Sequence, residues 1–525
     1  MKHLNNITLI LTLAAFASCK EDLLETIPND RLSSEIFWRT DQDATFAANA
    51  VYGYLGDVRS YFMWDGITDT GHANFPTSEQ SLIEKGQIDA TLSVIQAQWT
   101  NAYTGIRAAN TYLGKVDQVE TRDQALIDRL KGEVKVIRAY LYIKLAALYG
   151  DVPLITTEIS LEESRNLSRT PVTEIWDFIA KELADAADVL PNIQSDKGRI
   201  TKGAALALNA RAMLYAGRYQ QAADAAKQVM DLNVYSLYPS YEKLFTYEGE
   251  NNQEVILDKQ FIKDNYNNDI FLFMAPWSQL NNSGSTFVPT KKLVDAYLMN
   301  NGKDITDITS DFNPQDPYID RDPRLRYSIF VLGDTLANGN IYDSRPGSGT
   351  FDAVDFSWFT TNTGFNVKKY INKEDLADPV NGGINTIILR YADVLLMYAE
   401  AKIEVNQIDQ SVVDAINKVR ERPDVNMPPI VGISSQPELR DIVRHERLVE
   451  LAFEGQRYFD IRRWKIAEDV MPGNVYGMTY SESGTLKTIE VPAYERTFNK
   501  NRDYLWPIPQ KERELNPQLK QNPNW

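Results

Sequence analysis

Residues 439–464, LRDIVRHERLVELAFEGQRYFDIRRW, carry the pattern on which the predicted fold depends. Apolar side chains recur there at three- and four-residue steps, which is the spacing of one helix face: Leu439, Ile442, Val443, Val449 and Phe453. Gly455 is placed to end this helix, because glycine readily adopts the left-handed conformation of a helix terminus. A buried helix followed by a short aromatic segment is therefore predicted.

Two acids, Glu446 and Glu450, fall on or beside the apolar face of this helix. A carboxylate is costly to bury unless it is paired. Arginines close in sequence are predicted to hold these acids: Arg444, Arg447, Arg457, Arg462 and Arg463. General acid and base catalysis is the alternative interpretation, but structural ion networks also place acids in cores, and the structural role is preferred.

Helical periodicity continues through much of the chain. Helices are predicted over residues 93–119, 123–149 and 172–190, and one is predicted to begin near Ser33. Residues 202–232 and 389–420 have the spacing of tetratricopeptide helix pairs, which bury their apolar faces against neighbouring pairs. The predicted fold is mainly α, with about four helix pairs in one scaffold that covers about 33–60, 93–231 and 386–466.

Three stretches have turn residues and little periodicity, namely about 61–92, 232–385 and 467–503. They are predicted to be loop-rich insertions, with short strands near 254–259 and 366–370. In the last segment, 504–525, prolines flank Ile508 and prevent a helix from running through it. This segment is predicted to be an extended tail docked on the body, so that 19–525 forms a single domain.

The N-terminus has the pattern of a lipoprotein signal peptide over residues 1–18. Lys2 precedes a short apolar run, and Ala17 and Ser18 precede Cys19, the only cysteine of the chain. Cys19 is predicted to carry acyl chains such as palmitate, which would anchor the protein to a membrane. A plain signal peptide cut near Ala17 is the alternative.

Composition excludes several classes of function. The net charge of −17 argues against nucleic acid as a partner. One cysteine and three histidines do not suit a zinc site, and no cofactor motif or common catalytic motif occurs. A calcium site stays open as the alternative at an acidic cluster, although the cluster lacks the glycine and the spacing of a calcium loop: Asp304, Asp307, Asp311 and Asp320. No metal, no cofactor and no enzymatic activity are predicted.

Several stretches resemble the SusD/RagB family, the surface glycan-binding lipoproteins of Bacteroidetes. The similar stretches are the lipoprotein box at Cys19, RAYLYIKLAALYGDVPLI at 138–155, the Asp-Pro-Arg element at 322–324, residues 444–464, and the proline-rich terminus from 506. The resemblance implies a tetratricopeptide-like fold with a loop-rich lobe. It also implies an outer-membrane lipoprotein facing the exterior, which binds an oligosaccharide or polysaccharide and delivers it to a SusC-like TonB-dependent transporter.

Sugars present C–H faces and a rim of hydroxyls, so aromatic side chains and polar side chains on loops are the candidate ligands. Three clusters meet this description: Tyr61, Trp64, Asp65, Asp69, His72 and Asn74; Trp277, Gln279 and Asn281; and Trp358 and Asn362.

Two other functions stay open from the sequence. A glycoside hydrolase needs only two suitably spaced carboxylates, and helical repeats often bind proteins or peptides.

Overall fold

The computed structural model describes residues 37–525, except 57 and 281–283. The predicted signal peptide, Cys19, Ser33 and Asn281 lie outside the described residues. The first described helix begins after Thr40, whose hydroxyl accepts a hydrogen bond from the Asp43 backbone N–H at 3.2 Å. The Asp43 carboxylate accepts one in return from the Thr40 N–H at 2.8 Å, which completes a capping box.

The described helices, in chain order, are α1 (Asp41–Tyr52), α2 (Val58–Gly66), α3 (Glu79–Glu84), α4 (Ser93–Lys115), α5 (Gln124–Tyr149), α6 (Leu161–Ser164), α7 (Val172–Val189), α8 (Lys202–Tyr215), α9 (Tyr219–Asp231), α10 (Tyr241–Leu244), α11 (Ile270–Met274), α12 (Trp277–Leu280), α13 (Lys291–Ala296), α14 (Arg324–Ser328), α15 (Tyr391–Glu404), α16 (Gln410–Arg420), α17 (Gln436–Glu450), α18 (Arg457–Arg463), α19 (Ala467–Val470) and α20 (Gln510–Leu515). The strands are β1 (Gly71–Ala73), β2 (Val255–Lys259), β3 (Phe287–Pro289), β4 (Ile329–Phe330), β5 (Asn366–Val367), β6 (Thr386–Arg390), β7 (Gly473–Glu482) and β8 (Thr485–Arg496).

The long helices pack in a continuous row. α4 contacts α5, which contacts α7, and the row continues through α8, α9, α15 and α17. Alanines on α8 and α9 are fully buried and let these helices approach closely, and Gly217 turns between them with a φ of +71°. The predicted mainly helical fold with tetratricopeptide-like pairs is confirmed.

The described strands pair as short antiparallel sheets of two strands: β1 with β3, β2 with β6, β4 with β5, and β7 with β8. The predicted strands near 254–259 and 366–370 correspond to β2 and β5. Strand β6 runs directly into α15, so the loop-rich segment is fixed to the scaffold at its carboxyl end.

The prediction of a long loop over 61–92 is wrong. The segment contains most of α2, followed by β1 and α3. Its aromatic and polar residues lie almost entirely inside the protein, from Ser60 to Asn74. A segment buried on all sides shows no amphipathic period, which is why its helix was not predicted.

The loop predicted over 467–503 is also wrong, because β7 and β8 form a hairpin there. Ser483 and Gly484 make the turn, with φ angles of +51° and +84°. Positive φ at both central residues is the geometry of a tight hairpin turn. The C-terminal segment docks as predicted, with Trp506 and Ile508 buried, although α20 follows Pro509 where extended chain was expected.

The helix of the 439–464 stretch, α17, ends at Glu450, five residues before Gly455. Glu446 and Glu450 are fully buried and paired, but the predicted partners are wrong. Both acids accept hydrogen bonds from Arg324 Nη1, at 2.5 and 2.9 Å respectively. The remaining partners are Arg420 for Glu446, and Arg390 and Arg422 for Glu450.

The five arginines close in sequence hold other groups. Arg447 pairs with Asp393 and Asp460, Arg463 with Glu400 and Asp460, Arg457 with Asp69 and Arg444 with Glu404, and Arg462 lies over the Tyr458 ring. Neighbours on one helix point to different faces. The acids are therefore held by arginines from other elements of the chain.

Acid is expected to unfold the protein through these buried ion pairs. Burial raises the pKa of Asp393, but Arg211 and Arg447 outweigh this effect and lower the pKa from 3.8 to about 2. Such a group stabilises the folded state above its unfolded pKa, and the contribution is lost as pH falls through the folded value. We expect the free energy of unfolding to fall below about pH 4, by about 2 kcal/mol from Asp393 alone. Urea titrations at a series of pH values measure this, and equal stability at about pH 5 and about pH 2 would contradict it.

Candidate ligand-binding surface

The first predicted ligand cluster is wrong, because its members are buried: Tyr61, Trp64, Asp65, Asp69, His72 and Asn74. Trp64 is only 3% exposed, and its ring centroid lies 5.1 Å from Tyr458, 5.3 Å from Phe459 and 5.4 Å from Trp506. The Tyr61 hydroxyl lies 3.1 Å from the Tyr140 hydroxyl inside the helical scaffold. These rings pack α2 against the C-terminal segments.

The two acids of this cluster tie α2 and the turn after it to the start of α18. The Asp65 carboxylate accepts hydrogen bonds from the backbone N–H groups of Gly455 and Arg457, at 3.0 and 2.8 Å. Burial raises the Asp65 pKa to about 7, although both hydrogen bonds oppose the rise. Asp69 pairs with Arg457 at 2.7 Å and Lys292 at 2.9 Å, and these cations outweigh burial and lower its pKa.

His72 and Asn74 also have structural partners. His72 Nδ1 lies 3.2 Å from both carboxylate oxygens of Glu84, and its ring packs edge-on against Tyr494. Asn74 Nδ2 donates to the Thr360 carbonyl at 2.8 Å, and Asn74 Oδ1 accepts from the Asn362 N–H at 2.8 Å. Asn362, half-buried, therefore fixes the 357–363 loop to β1.

Replacing Trp64 with phenylalanine is expected to destabilise the protein by about 1–3 kcal/mol, because the smaller ring leaves a gap among Tyr458, Phe459 and Trp506. Ligand affinity should be unchanged in the folded variant, since the ring does not reach the surface. Urea unfolding and ligand titration of the same preparation measure both effects. Unchanged stability would contradict this position for the ring.

The remaining two clusters come together on the surface. The Trp277 ring, at the start of α12, stacks on Phe359 with centroids 5.3 Å apart and planes 9° apart. Phe75 contacts the Phe359 ring edge-on at 5.8 Å. Trp358, beside Phe359 in sequence, is 82% exposed, and Phe359 is 47% exposed. We call Phe75, Trp277, Trp358 and Phe359 the aromatic platform.

Hydrogen bonds hold the platform in place. Asp352 accepts from the Ser278 N–H at 2.9 Å and the Ser278 hydroxyl at 2.5 Å, which joins the loop that carries Trp358 to α12. Burial raises the Asp352 pKa, and the bonds from Ser278 oppose this rise. On the other side, the Asn74–Asn362 contacts join the same loop to β1. The platform therefore rests on fixed elements of the protein.

Polar groups lie next to Trp277. Gln279 is buried, and its Oε1 accepts from the Ala337 N–H at 3.0 Å. Its Nε2 has no hydrogen-bond partner among the residues described here. Exposed Asn338 donates from Nδ2 to the Ser278 carbonyl at 3.1 Å. The exposed amide of Asn338 can exchange hydrogen bonds with the hydroxyls of a ligand.

Sequence reasoning missed Phe75 and Phe359, which complete the platform. It also missed a second exposed pair in the same loop, Phe351 and Phe356, whose ring centroids lie 5.0 Å apart. The sequence does contain a signal for this site, because residues 351–359 hold four aromatic residues within a segment rich in turn residues. Exposed apolar surface of this density is typical of a binding site.

The acidic cluster near residue 304 closes local turns. Asp304 accepts from the Thr306 N–H at 2.8 Å, and Asp307 accepts from the Thr309 N–H at 2.8 Å. Between residues 37 and 525, apart from the four positions left out, no group of three or more side chains is arranged to bind a metal. Over the same residues, no helix is both long enough and apolar enough to cross a bilayer.

The fold and the platform define a class of protein: a helical-repeat scaffold that displays exposed aromatic rings on a fixed loop. The sequence profile of the SusD family matches residues 253–525, more than half of the chain. A second profile, described as "Starch-binding associating with outer membrane", matches residues 61–214. The chain belongs to the SusD family.

Relatives support this assignment over nearly the whole length. SusD-like protein P2 of Formosa agariphila is 26% identical over 552 residues, covering 99% of this chain and 97% of that protein. SusD-like protein P38 of the same organism is 24% identical and covers 91% and 95%. A SusD-like carbohydrate-binding protein from Bacteroides fragilis superposes with a TM-score of 0.86 at 28% identity, covering 92% of this chain and 100% of that one.

Proposed function

We propose that this protein binds oligosaccharide or polysaccharide at the aromatic platform and does not cleave it. The observation that carries the proposal is the exposed Trp358 beside the stacked Trp277 and Phe359 rings. Aromatic faces pack against the C–H faces of sugars, and neighbouring amides supply hydrogen bonds for orientation. The carbohydrate-binding relative from Bacteroides fragilis supports the same ligand class.

The proposed setting is the outer membrane, facing the exterior. Acylation of Cys19 would anchor the chain there, and the description of the profile that matches residues 61–214 supports this location. The partner is a SusC-like TonB-dependent transporter, which receives the glycan from this protein. In this role the platform must hold sugar reversibly, because tightly held ligand would not pass to a partner.

A panel of plant, algal and host glycans tests the proposal on the soluble protein beginning at Glu21. Titration calorimetry measures affinity, and chromatography of the same mixtures after long incubation measures cleavage. We expect binding to at least one glycan with no shortened products. Shortened products would instead indicate a glycoside hydrolase, and binding to peptides but to no glycan would indicate a protein-interaction scaffold.

A further inference from the structure

A second concave surface lies between the loop that joins α7 to α8 and strand β2. It consists of two adjoining cavities of about 250 and 420 Å³, which share Gly198 and Asp258 in their linings. We call this surface the β2 cleft. None of its lining residues belongs to the aromatic platform. Small-molecule sites typically measure about 300–1,000 Å³, so the joined cavities have the size of a binding site.

Asp258 is the central polar group of the β2 cleft. It lies on β2, is 5% exposed, and lines both cavities. Its Oδ2 accepts a hydrogen bond from Gln260 Nε2 at 2.6 Å, and no salt bridge to it is found in the part of the chain that the structure describes. A carboxylate has about four acceptor positions, so Asp258 retains capacity to accept hydrogen bonds from a ligand.

Burial of Asp258 disfavours its charged form. Burial raises the pKa of Asp258 to about 6, while the hydrogen bond from Gln260 opposes the rise. The position of Gln260 is fixed in turn, because Asn385 Nδ2 donates to its Oε1 at 3.1 Å. Asp258 is thus a buried carboxylate beside a cavity, and its side-chain partner is the uncharged amide of Gln260. Packing alone does not explain why an acid lies at this position.

Gly198 permits the two cavities to adjoin. Its φ is +77°, and a Cβ atom there would lie 2.3 Å from Gln260 Cγ. A side chain at this position would push the α7–α8 loop away from Gln260 or displace Gln260 itself. The absence of a side chain therefore keeps the loop close to β2, where both cavities border Asp258.

The remaining lining favours a neutral ligand rich in hydroxyl groups. Amide side chains surround the first cavity: Asn192, Gln194, Asn251, Asn252 and Gln253. Two of the neighbouring cations have protein partners, since Arg199 pairs with Glu133, and Lys259 donates to the Gly53 and Gly56 carbonyls, whereas Lys197 lies exposed at the rim of the first cavity. Tyr266 lines the second cavity, is 50% exposed, and stacks on Phe261 at 5.4 Å.

We propose that the β2 cleft is a second carbohydrate site, in which Asp258 accepts hydrogen bonds from hydroxyl groups and Tyr266 packs against a sugar ring. This inference goes beyond the platform, because it rests on different residues and gives the chain a second point of contact with glycan. Two separate sites on one chain would retain a long polysaccharide while its end reaches the partner.

Crystals of the protein beginning at Glu21, soaked separately with maltose, cellobiose, xylobiose, mannobiose and chitobiose, test the proposal. We expect at least one disaccharide within hydrogen-bonding distance of the Asp258 carboxylate. Sugar at the platform alone would overturn this inference and leave the proposed function intact. Sugar in the cleft alone would support the inference and count against the platform, and sugar at neither place would overturn both.

Calorimetry with the bound disaccharide then assigns the contribution of Asp258. Asp258→Asn should weaken cleft binding by about tenfold, because hydrogen bonds to a charged acceptor become weaker bonds to a neutral amide oxygen. Platform affinity should stay unchanged, which also shows that the variant is folded. Asp188→Asn, an equal change of charge at an exposed position on α7, serves as the control and should leave both affinities unchanged. Equal cleft affinity for Asp258→Asn and the natural protein would overturn the proposal.

Discussion

Replacing Arg390 with methionine is expected to lower the free energy of unfolding by about 3–5 kcal/mol. Arg390 is almost fully buried, and its guanidinium donates to Glu254 at 2.8 Å, Glu450 at 2.7 Å and Glu454 at 2.7 Å. Methionine is similar in length but leaves these carboxylates short of a cation inside the protein. The loss of pairing for buried charge, more than the loss of packing, produces the expected effect.

Urea denaturation followed by circular dichroism measures the change in the free energy of unfolding. Two further variants separate the effect of charge from the effect of burial. Arg390→Lys keeps the charge but not the planar set of donors, so its destabilisation should be intermediate. Arg345→Met removes an exposed pair with Asp343 and should cost less than about 1 kcal/mol. A stability of Arg390→Met within about 1 kcal/mol of the natural protein would show that the buried network is not required.

Replacing Trp358 with alanine is expected to weaken glycan binding by about 2 kcal/mol, or roughly thirtyfold, while stability changes little. Its ring is mostly exposed, so folding gains little from it, whereas a sugar that packs on it would lose its main apolar contact. Trp358→Phe keeps an aromatic face and should retain part of the affinity. Because the contact is apolar, the loss should not depend on salt concentration.

Ile308→Ala is the matched control for Trp358→Ala. Ile308 is fully exposed and apolar, but it lies on the 300–320 segment outside the platform. Its removal should leave affinity unchanged in calorimetry with the same oligosaccharide. Equal affinity of Trp358→Ala and Ile308→Ala would show that exposed apolar area at residue 358 does not contribute to binding.

Much of the helical scaffold could be predicted, because its helices carry local signals. The periods over 123–149 and 202–232 identify α5, α8 and α9 to within a few residues, and Gly217 marks the turn between α8 and α9. Helix α2 could not be predicted in this way, since it is buried on several sides and has no polar face. The partners of Glu446 and Glu450 could not be predicted either, because Arg324 and Arg390 are distant from them in sequence.

The positions of the candidate ligand-binding rings also depend on contacts between distant segments, so they could not be predicted from local sequence. Trp64 and Trp358 occur in similar polar, aromatic contexts in the sequence, yet one is buried against Trp506 and the other is exposed. What separates them is the packing of segments far apart in the chain, which a single sequence does not encode locally. Trp277 and Phe359 are 82 residues apart by their numbers, and hydrogen bonds from Ser278 to Asp352 join the segments that carry the two stacked rings.

Side-by-side calorimetry of Trp64→Phe and Trp358→Ala, with an oligosaccharide that the natural protein binds, tests the central claim most directly. The claim is that the exposed rings of the platform hold the sugar, while the rings of α2 hold the fold. We predict natural affinity for folded Trp64→Phe and a loss of roughly thirtyfold for Trp358→Ala. Lost affinity in Trp64→Phe together with natural affinity in Trp358→Ala would contradict the account.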